Sequence, residues 1–261
     1  MTKNNHTVKL DDRLLRILEL VRLKGGFASL PELAKDLGVS ESTVRRDLDA
    51  LERTGAARRT HGGVFYTGGP PQPPYAGAME PAEWEKKQAI GAKAAELIEN
   101  GDTLLLDGGS TTYELARVLV GRSLQVVTNS LPVANLFAAN AFADLVLTGG
   151  SVYPRTGVML GPLANAMLAG VNARKALLSV AGITERGFYN NNALLVGTEL
   201  AMIRAADEAI VLADSTKFGH QGLVHLCELS AVDRVVVDSE VDPEWSDRMA
   251  AAGVELIVAN Y

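Results

Sequence analysis

The sequence predicts an α/β protein with two domains, a small helical domain followed by a larger one built on a mainly parallel sheet. Three observations support this prediction. Apolar residues recur at helical spacing near the N-terminus, residues 67–81 are rich in proline and glycine, and short apolar strands alternate with helices from residue 82 onward. We therefore expect domains at residues 1–66 and 82–261, separated by a semi-stiff linker at residues 67–81.

Charge is distributed unevenly along the 261 residues. Residues 1–66 carry 12 lysines and arginines and 9 acidic residues, a net charge of +3. The remainder carries 13 basic and 22 acidic residues, a net charge of −9. A basic first domain favours a polyanionic partner such as DNA, although so modest an excess would not predict one by itself.

Cysteine usage and hydropathy indicate the cellular compartment. Cys227 is the only cysteine, so an internal disulfide is impossible, which suits a reducing environment. The first ten residues are polar, and no apolar run is long enough to span a bilayer. The sequence therefore predicts a soluble cytoplasmic protein with no membrane partner.

Three helices are predicted in the first domain. The first covers Asp11–Lys24, where four apolar residues fall on one face. Ser29 can cap the second helix, with Glu32 completing a capping box, and Ser40 can cap the third. Gly38 lies at the tight turn between them, because glycine reaches left-handed backbone angles without strain. The apolar residues expected to pack these two helices together are Leu33, Ala34, Leu37, Val44, Leu48 and Leu51.

The opposite face of the third helix, with the segment that follows it, has the side chains of a DNA-binding surface. Hydroxyl and guanidinium groups on that face suit phosphates and base edges in the major groove. A basic strand, a glycine pair and an aromatic strand follow, and they predict a hairpin wing, so we interpret the domain as a winged helix-turn-helix. The residues expected to bind DNA are Ser40, Ser42, Thr43, Arg45, Arg46, Arg58, Arg59 and His61.

This interpretation has alternatives. Any two helices with a glycine turn and surface arginines would share part of the pattern. His61 could contact a phosphate or a base, or it could be an ordinary surface histidine. The capped helix pair, the arginine pair and the basic hairpin together favour DNA binding.

The second domain is predicted to hold a Rossmann-like, mainly parallel sheet with helices on both faces, because its strands are short and continuously apolar. The predicted strands are Thr103–Asp107, Leu124–Thr128, Leu145–Thr148, Ala176–Ala181, Ala209–Ala213, Arg234–Asp238 and Glu255–Val258. The predicted helices are Glu83–Asn100, Thr112–Val120, Leu131–Ala139, Pro162–Ala169, Thr198–Ala206 and Pro243–Ala252.

Four predicted strand ends are small and polar, and ligands of open parallel sheets bind at such ends. One of them leads through a glycine pair and three hydroxyl residues straight into a helix, whose N-terminus would favour an anion. Ordinary turns with capping residues would look similar at any single strand end. The residues expected to bind an effector are Asp107, Gly108, Gly109, Ser110, Thr111, Thr112, Thr128, Asn129, Ser130, Gly149, Gly150 and Lys217.

Other ligand classes fit the sequence less well. No Gly-Lys-Ser/Thr follows the glycines, as in a nucleotide P-loop, and no third glycine stands at dinucleotide-binding spacing. His220, His225 and Cys227 lie close together, but two histidines and one thiol on a loop are a weak metal-site pattern. We therefore predict neither a metal nor a cofactor, and we expect Trp84 and Trp245 to be packing anchors.

Two stretches of the first domain, Val39–Leu48 and Arg59–Gly63, resemble the winged helix of the DeoR family of bacterial transcriptional regulators. The second domain resembles the effector-sensing domain of that family, so the resemblance covers about residues 11–240. Its matching motifs are Asp107-Gly108-Gly109-Ser110-Thr111-Thr112, Thr128-Asn129-Ser130, Thr148-Gly149-Gly150 and Ala213-Asp214-Ser215-Thr216-Lys217-Phe218-Gly219.

The resemblance implies a repressor of a sugar catabolic operon whose second domain is similar in fold to ribose-5-phosphate isomerase. It implies two partners, a double-stranded DNA operator and a small anionic effector such as a phosphorylated sugar. Because one winged helix reads too few bases for useful specificity, we also expect a homo-oligomer, a dimer or a tetramer. No enzymatic activity is expected.

The chain departs from the family pattern at two positions near the expected ligand. Ala181 stands where many members carry an aspartate, and Glu199 stands where many carry a lysine. The run Asn190–Asn192 also replaces a hydroxyl-rich stretch. The anion-binding residues are kept, so these departures concern the groups that would face the rest of the ligand.

Two further functions are compatible with parts of the sequence. A sugar-phosphate isomerase with a DNA-binding domain would need a carboxylate base and a group that stabilises an enediolate. Asp107 or Glu199 could be the base and Lys217 the electrophile, but the absence of a carboxylate at Ala181 weakens this alternative. An architectural DNA-binding protein that senses no ligand would not need the polar strand ends.

Overall fold

The computed structural model describes residues 13–21, 24, 27–53, 57–59, 63–66, 81–138 and 142–261. His61 and residues 67–80 of the predicted linker lie outside these ranges. The chain divides into two compact units, Met1–Gln72 and Pro73–Tyr261.

The described residues of the first unit form three helices and a three-stranded antiparallel sheet. In chain order its elements are α1 (residues 13–21), β1 (Phe27–Ser29), α2 (Leu30–Leu37), α3 (Glu41–Arg53), β2 (Ala57–Arg59) and β3 (Gly63–Tyr66). The hairpin of β2 and β3 has the predicted antiparallel pairing. Strand β1 was not predicted, because three residues are too few to show a period. It pairs with β3 and completes the sheet in the order β1-β3-β2.

The predicted caps of α2 and α3 are confirmed. The Ser29 hydroxyl accepts a hydrogen bond from the Glu32 amide, and the Glu32 carboxylate accepts one from the Ser29 amide at 2.9 Å. Gly38 has a φ of 65°, which ends α2 in the left-handed conformation. The Ser40 hydroxyl accepts a hydrogen bond from the Thr43 amide at 3.3 Å. The buried core of this unit is Ile17, Val21, Ala28, Leu30, Leu33, Val44, Leu48, Leu51, Ala57 and Val64.

The second unit is built on a seven-stranded sheet in which every pair of neighbouring strands is parallel. Its helices are α4 (Pro81–Ala95), α5 (Ser110–Leu119), α6 (Leu131–Ala138), α7 (Pro162–Leu168), α8 (Ala193–Arg204) and α9 (Glu244–Ala251). The sheet strands are β4 (Thr103–Leu106), β5 (Leu124–Thr128), β6 (Ala143–Leu147), β9 (Ala173–Ser179), β12 (Ala206–Leu212), β14 (Arg234–Asp238) and β15 (Glu255–Ala259). Their order, β15-β14-β12-β9-β4-β5-β6, confirms the predicted mainly parallel sheet.

Helices cover both faces of this sheet, because alternate residues of each strand point to opposite sides. Leu104 and Leu106 belong to one buried cluster together with Ile90 of α4. Leu105 belongs to another cluster, with Met202 of α8. The predicted Rossmann-like architecture therefore follows from two separate apolar layers.

Five short strands of the second unit were not predicted. They are β7 (Ser151–Tyr153), β8 (Val158–Leu160), β10 (Gly182–Thr184), β11 (Gly187–Asn190) and β13 (Val224–Cys227). The first two form a hairpin, and the other three form a second antiparallel sheet. Each has three or four residues, so its stability comes from cross-strand pairing that sequence periodicity does not show.

Several predicted boundaries are wrong, and two of the errors have clear causes. Helix α8 begins at Ala193 instead of Thr198, because the Asn192 carboxamide accepts hydrogen bonds from two amides of its first turn. Strand β9 begins three residues earlier than predicted, at Ala173. Its buried Lys175 is paired with Asp102 at 2.7 Å, so a charged residue lies inside a strand that was expected to be purely apolar.

Candidate functional site

The outward face of α3 presents the polar side chains that were expected to bind DNA. Arg45, Arg46, Ser42 and Ser40 are exposed, and Thr43 is half-buried. The Ser40 hydroxyl lies 2.9 Å from the hydroxyls of both Ser42 and Thr43. The structure therefore brings these five side chains together on one solvent-facing surface.

A partly buried ion pair that the sequence did not reveal lies on the inward face of α3. Asp47 directly follows the two arginines but is only 2 % exposed. Its carboxylate accepts two hydrogen bonds from the Arg13 guanidinium of α1, one of them 2.7 Å long. A bidentate pair of this kind restrains direction as well as distance. Asp47, together with the buried Val44 and Leu48, thus holds the inward face of α3 and leaves Arg45 and Arg46 exposed.

The strand β2 of the wing carries two further basic residues that were expected to bind DNA. Arg58 and Arg59 lie on β2, opposite Phe65 and Val64 of β3. His61, the remaining residue expected to bind DNA, is outside the described residues.

A cavity of about 280 Å³ lies in the second unit, at the carboxyl ends of β4, β9 and β12. These three strands are neighbours in the sheet. Six of the twelve residues expected to bind an effector line the cavity, namely Asp107, Gly108, Gly109, Ser110, Thr111 and Lys217. Its other lining residues are Lys87, Thr156, Ser179, Val180, Ala181, Asn190, Leu195, Glu199, Leu212, Ala213 and Asp214.

The glycine turn before α5 allows close approach of neighbouring strands. A Cβ atom at Gly108 would lie 2.0 Å from a methyl group of Val158, and one at Gly109 would lie 1.8 Å from the Ser179 hydroxyl. The Gly109 amide donates to the Thr112 hydroxyl at 2.8 Å, which caps the helix. Ser110 and the backbone of the first turn of α5 thus face the cavity at a helix N-terminus, where an anion is favoured.

Two lysines reach the cavity from different elements and share one carboxylate. Lys87 of α4 lies 3.5 Å from Asp214, and Lys217 lies 3.8 Å from the same carboxylate oxygen. Burial alone would raise the pKa of Asp214, but the Thr216 hydrogen bond and the two lysine charges hold that pKa below its usual value. Asp214 is therefore ionised and holds both cations at the cavity wall.

Two buried carboxyl groups line another part of the wall. Burial raises the pKa of Asp107, whose carboxylate accepts a hydrogen bond from Asn129 at 3.0 Å. Burial, and next the charge of Asp107, raise the pKa of Glu199 well above its ordinary value. One oxygen of Glu199 accepts a 2.5 Å hydrogen bond from Asn190, and the other has no hydrogen-bond partner among the described residues.

The remaining residues expected to bind an effector do not line this cavity. Thr112 caps α5, and the Thr128 hydroxyl donates to the Leu106 carbonyl at 2.6 Å. The Asn129 amide group donates a hydrogen bond to the Asp107 carboxylate, and the Ser130 hydroxyl accepts a hydrogen bond from the Val133 amide at the start of α6. Gly149 and Gly150 follow β6 and lie outside the cavity. Thr128-Asn129-Ser130 thus supports the wall without forming it.

Several lining residues were not among those expected to bind the effector, although the resemblance had placed Glu199 and Asn190 near the ligand. Glu199 is the only acidic residue of α8, and Asn190 begins a run of three asparagines, so both stand out. Lys87 comes from a helix that precedes the first sheet strand, and Thr156 comes from the turn between β7 and β8. Neither position follows a strand of the seven-stranded sheet, and only positions after such strands were expected to bind a ligand.

The predicted weak metal pattern at His220, His225 and Cys227 has no metal-binding cluster in the described part of the chain. No group of three or more His, Cys, Asp or Glu side chains there could hold a metal ion. His225 lies 3.0 Å from the Arg186 carbonyl and packs edge-on against Tyr189. No helix among the described residues is long and apolar enough to cross a membrane.

Two family descriptions match most of the chain. Residues 13–67 match the DeoR-like helix-turn-helix domain, and residues 82–239 match the DeoR C terminal sensor domain. The chain is 32 % identical over 244 residues to the lactose phosphotransferase system repressor of Lactococcus lactis subsp. lactis, covering 89 % of this chain and 92 % of that protein. It is 31 % identical over 225 residues to the glycerol-3-phosphate regulon repressor of Escherichia coli (strain K12), covering 85 % and 88 %.

Among solved structures, the chain is similar to ribose 5-phosphate isomerase A of Methanocaldococcus jannaschii. The sequences are 16 % identical, the match covers 53 % of this chain and 55 % of that one, and the TM-score is 0.39.

Proposed function

The chain belongs to the DeoR family of transcriptional regulators, and from this premise we propose that it represses a sugar catabolic operon until a phosphorylated sugar occupies the second unit. It is a DNA-binding regulator and not an enzyme. The named repressors of Lactococcus lactis and Escherichia coli support the direction of control, because both match nearly the full length of the chain. The isomerase alternative has no support from these relatives.

The observation that carries DNA binding is the outward face of α3. Arg45 and Arg46 are exposed there, while Asp47 and Leu48 are buried on the other side. Guanidinium groups on such a helix can bind guanine edges or phosphates in the major groove. Arg58 and Arg59 of the wing are proposed to bind the adjacent backbone.

Operator recognition is proposed to require at least two copies of the chain, in a dimer or a tetramer. A single winged helix contacts few base pairs, so specificity is gained when two of them bind repeated half-sites. Since operator DNA is in the bacterial cytoplasm, the regulator is proposed to work there.

The effector is proposed to bind the cavity at the carboxyl ends of β4, β9 and β12. Ser110 and Thr111 lie at the N-terminus of α5, and Lys217 supplies a positive charge from the end of β12. An anionic group such as a phosphate would be favoured by both features. No cofactor is proposed.

The DNA-binding proposal can be tested on an operator selected from random-sequence DNA. Replacing both Arg45 and Arg46 by alanine should weaken binding by ~1–3 kcal/mol for each arginine that reads a guanine, or reduce the salt slope by about one for each phosphate contact. Fluorescence anisotropy across a salt series measures both. A control variant, Lys93→Ala/Arg248→Ala, loses the same charge from the second unit and should bind normally. Unchanged affinity and salt dependence in the Arg45/Arg46 variant would contradict the proposal.

A further inference from the structure

We propose that the ligand of this cavity carries a basic nitrogen as well as a phosphate, as an amino-sugar phosphate does, and that Glu199 binds the nitrogen. The inference rests on the proposed function, because it takes the cavity to be the effector site. It adds the chemical class of the group that the ligand carries besides its phosphate.

The first observation is the position of the Glu199 carboxyl group. Glu199 is fully buried in α8 and lines the cavity. Its first oxygen is occupied by Asn190 at 2.5 Å, whereas its second oxygen has no hydrogen-bond partner among the described residues. A buried carboxylate oxygen without a partner costs free energy, and a donor supplied by a ligand would remove that cost.

The second observation is the arrangement of positive charge around the cavity. Lys87 and Lys217 both lie within 4 Å of Asp214. No lysine, arginine or histidine nitrogen of the described residues is recorded within that distance of Glu199, and the nearby Asp107 is another acid. Among the described residues, two cations therefore lie beside one acid of the cavity, and none lies within that distance of Glu199.

These two observations favour an ammonium group over a hydroxyl group as the partner. A hydroxyl donates one hydrogen bond and brings no charge, whereas an ammonium group donates up to three and compensates a buried carboxylate. The Thr156 hydroxyl also lines the cavity and has no partner among the described residues. A ligand with a phosphate at the N-terminus of α5 and an amine at Glu199 would give both the helix N-terminus and the Glu199 carboxyl group a partner of opposite charge.

The test compares matched sugar phosphates that differ only in one amino or hydroxyl group. Glucosamine 6-phosphate and glucose 6-phosphate form one pair, and galactosamine 6-phosphate and galactose 6-phosphate form another. Isothermal titration of the full chain should show that the amino member of at least one pair binds at least about tenfold more tightly, as expected for one charged hydrogen bond. Glu199→Gln should abolish this preference by weakening the binding of the amino member.

A matched control is available in α5. Glu114 is also a buried helical glutamate with one oxygen that lacks a partner among the described residues, but it does not line the cavity. Glu114→Gln should therefore keep the amino preference. Thermal unfolding of both variants verifies that each is folded before titration.

The outcomes separate this inference from the function on which it rests. Equal binding of both members of every pair, or a preference for the hydroxyl members, would overturn the role of Glu199 while leaving a phosphate-binding sensor intact. An amino preference that survives in Glu199→Gln would place the amine elsewhere and would also overturn it. If no member of either pair binds the protein, and none causes it to release operator DNA, both the inference and the proposed effector class fail.

Discussion

At the scale of single residues, the carboxyl group of Glu199 links pH to folding. Its pKa is raised by burial first and by the charge of Asp107 second. Asn190 and Cys227 also face it, and burial followed by the charge of Glu199 raises the pKa of the Cys227 thiol to about 12. The thiol therefore stays neutral, and burial and the Asp107 carboxyl group are what oppose ionisation of Glu199.

We expect Glu199→Gln to stabilise the protein increasingly as pH rises above the ordinary pKa of a glutamate. The folded state holds a proton on Glu199 over a pH range in which the unfolded chain, with a pKa near 4.5, has lost it. The free energy of unfolding therefore falls as pH rises through that range, and glutamine removes this loss. The Tm difference between variant and wild type should grow from pH 5 to pH 8 in thermal unfolding.

The exposed Glu185 provides the control for this pH series. Its side chain is 70 % exposed. Glu185→Gln should change Tm by a similar small amount at every pH. A Tm difference for Glu199→Gln that stays constant or shrinks with rising pH would contradict the assignment.

At the scale of elements, the packing of α4 on α5 positions the cavity wall. Helix α4 supplies Lys87 and α5 supplies Ser110 and Thr111. The two helices approach closely at Gly91, where a Cβ atom would lie 2.7 Å from the Leu115 amide nitrogen. Because the obstacle is backbone, any larger residue at this position must push the helices apart.

Two helical glycines should therefore respond in opposite directions to alanine. Gly91→Ala should destabilise the protein by ~1–3 kcal/mol, the usual cost of overpacking. Gly197→Ala in α8 should be neutral or stabilising by up to ~1 kcal/mol, since its Cβ would meet only the Asn165 amide nitrogen at 3.6 Å and alanine favours helices. Urea unfolding of both variants measures the difference. Equal stability of the two would show that α4 and α5 are not packed this closely.

At the scale of the whole molecule, effector binding and operator binding belong to different units of the chain. Coupling between them requires only that the effector favour one DNA-binding arrangement, typically by ~1–3 kcal/mol. A substitution in the cavity can therefore abolish the response to an effector without weakening operator binding. This separation gives a phenotype that an enzyme or an architectural protein would not show.

We expect Lys217→Ala and Thr111→Asp to give repressors that no longer respond to sugar phosphates. Loss of the lysine removes a charged hydrogen bond worth about 1.5–3 kcal/mol, and the new aspartate places a negative charge where an anion is proposed to bind. Anisotropy assays should show normal operator affinity in both variants and no release by sugar phosphates that release wild type. Lys93→Ala, which removes an exposed lysine outside the cavity, should respond like wild type. Normal release in both cavity variants would place the effector site elsewhere.

The sequence by itself determined the features that depend on near neighbours along the chain. The cap at Ser29, the left-handed turn at Gly38 and the arginine pair of α3 follow from interactions within a few residues, so local patterns predicted them correctly. The parallel sheet also follows from local patterns, because apolar strands alternate with helices. Half of the residues expected to bind an effector line the cavity for the same reason, since they follow the strand β4 or lie near the end of β12.

Tertiary structure alone decided how the cavity wall is completed. Four lining residues come from separate elements: Lys87 from α4, Thr156 from the turn between β7 and β8, Asn190 from β11 and Glu199 from α8. These elements meet only when β4, β9 and β12 lie side by side. Asp47 lies on the inward face of α3, but its partner, Arg13, comes from a helix far away in sequence. Such contacts depend on the packing of whole elements, so no periodicity or spacing along the chain encodes them. The sequence therefore specified the glycine and hydroxyl turn at the start of α5, and the fold placed the buried acid Glu199 in the same cavity wall.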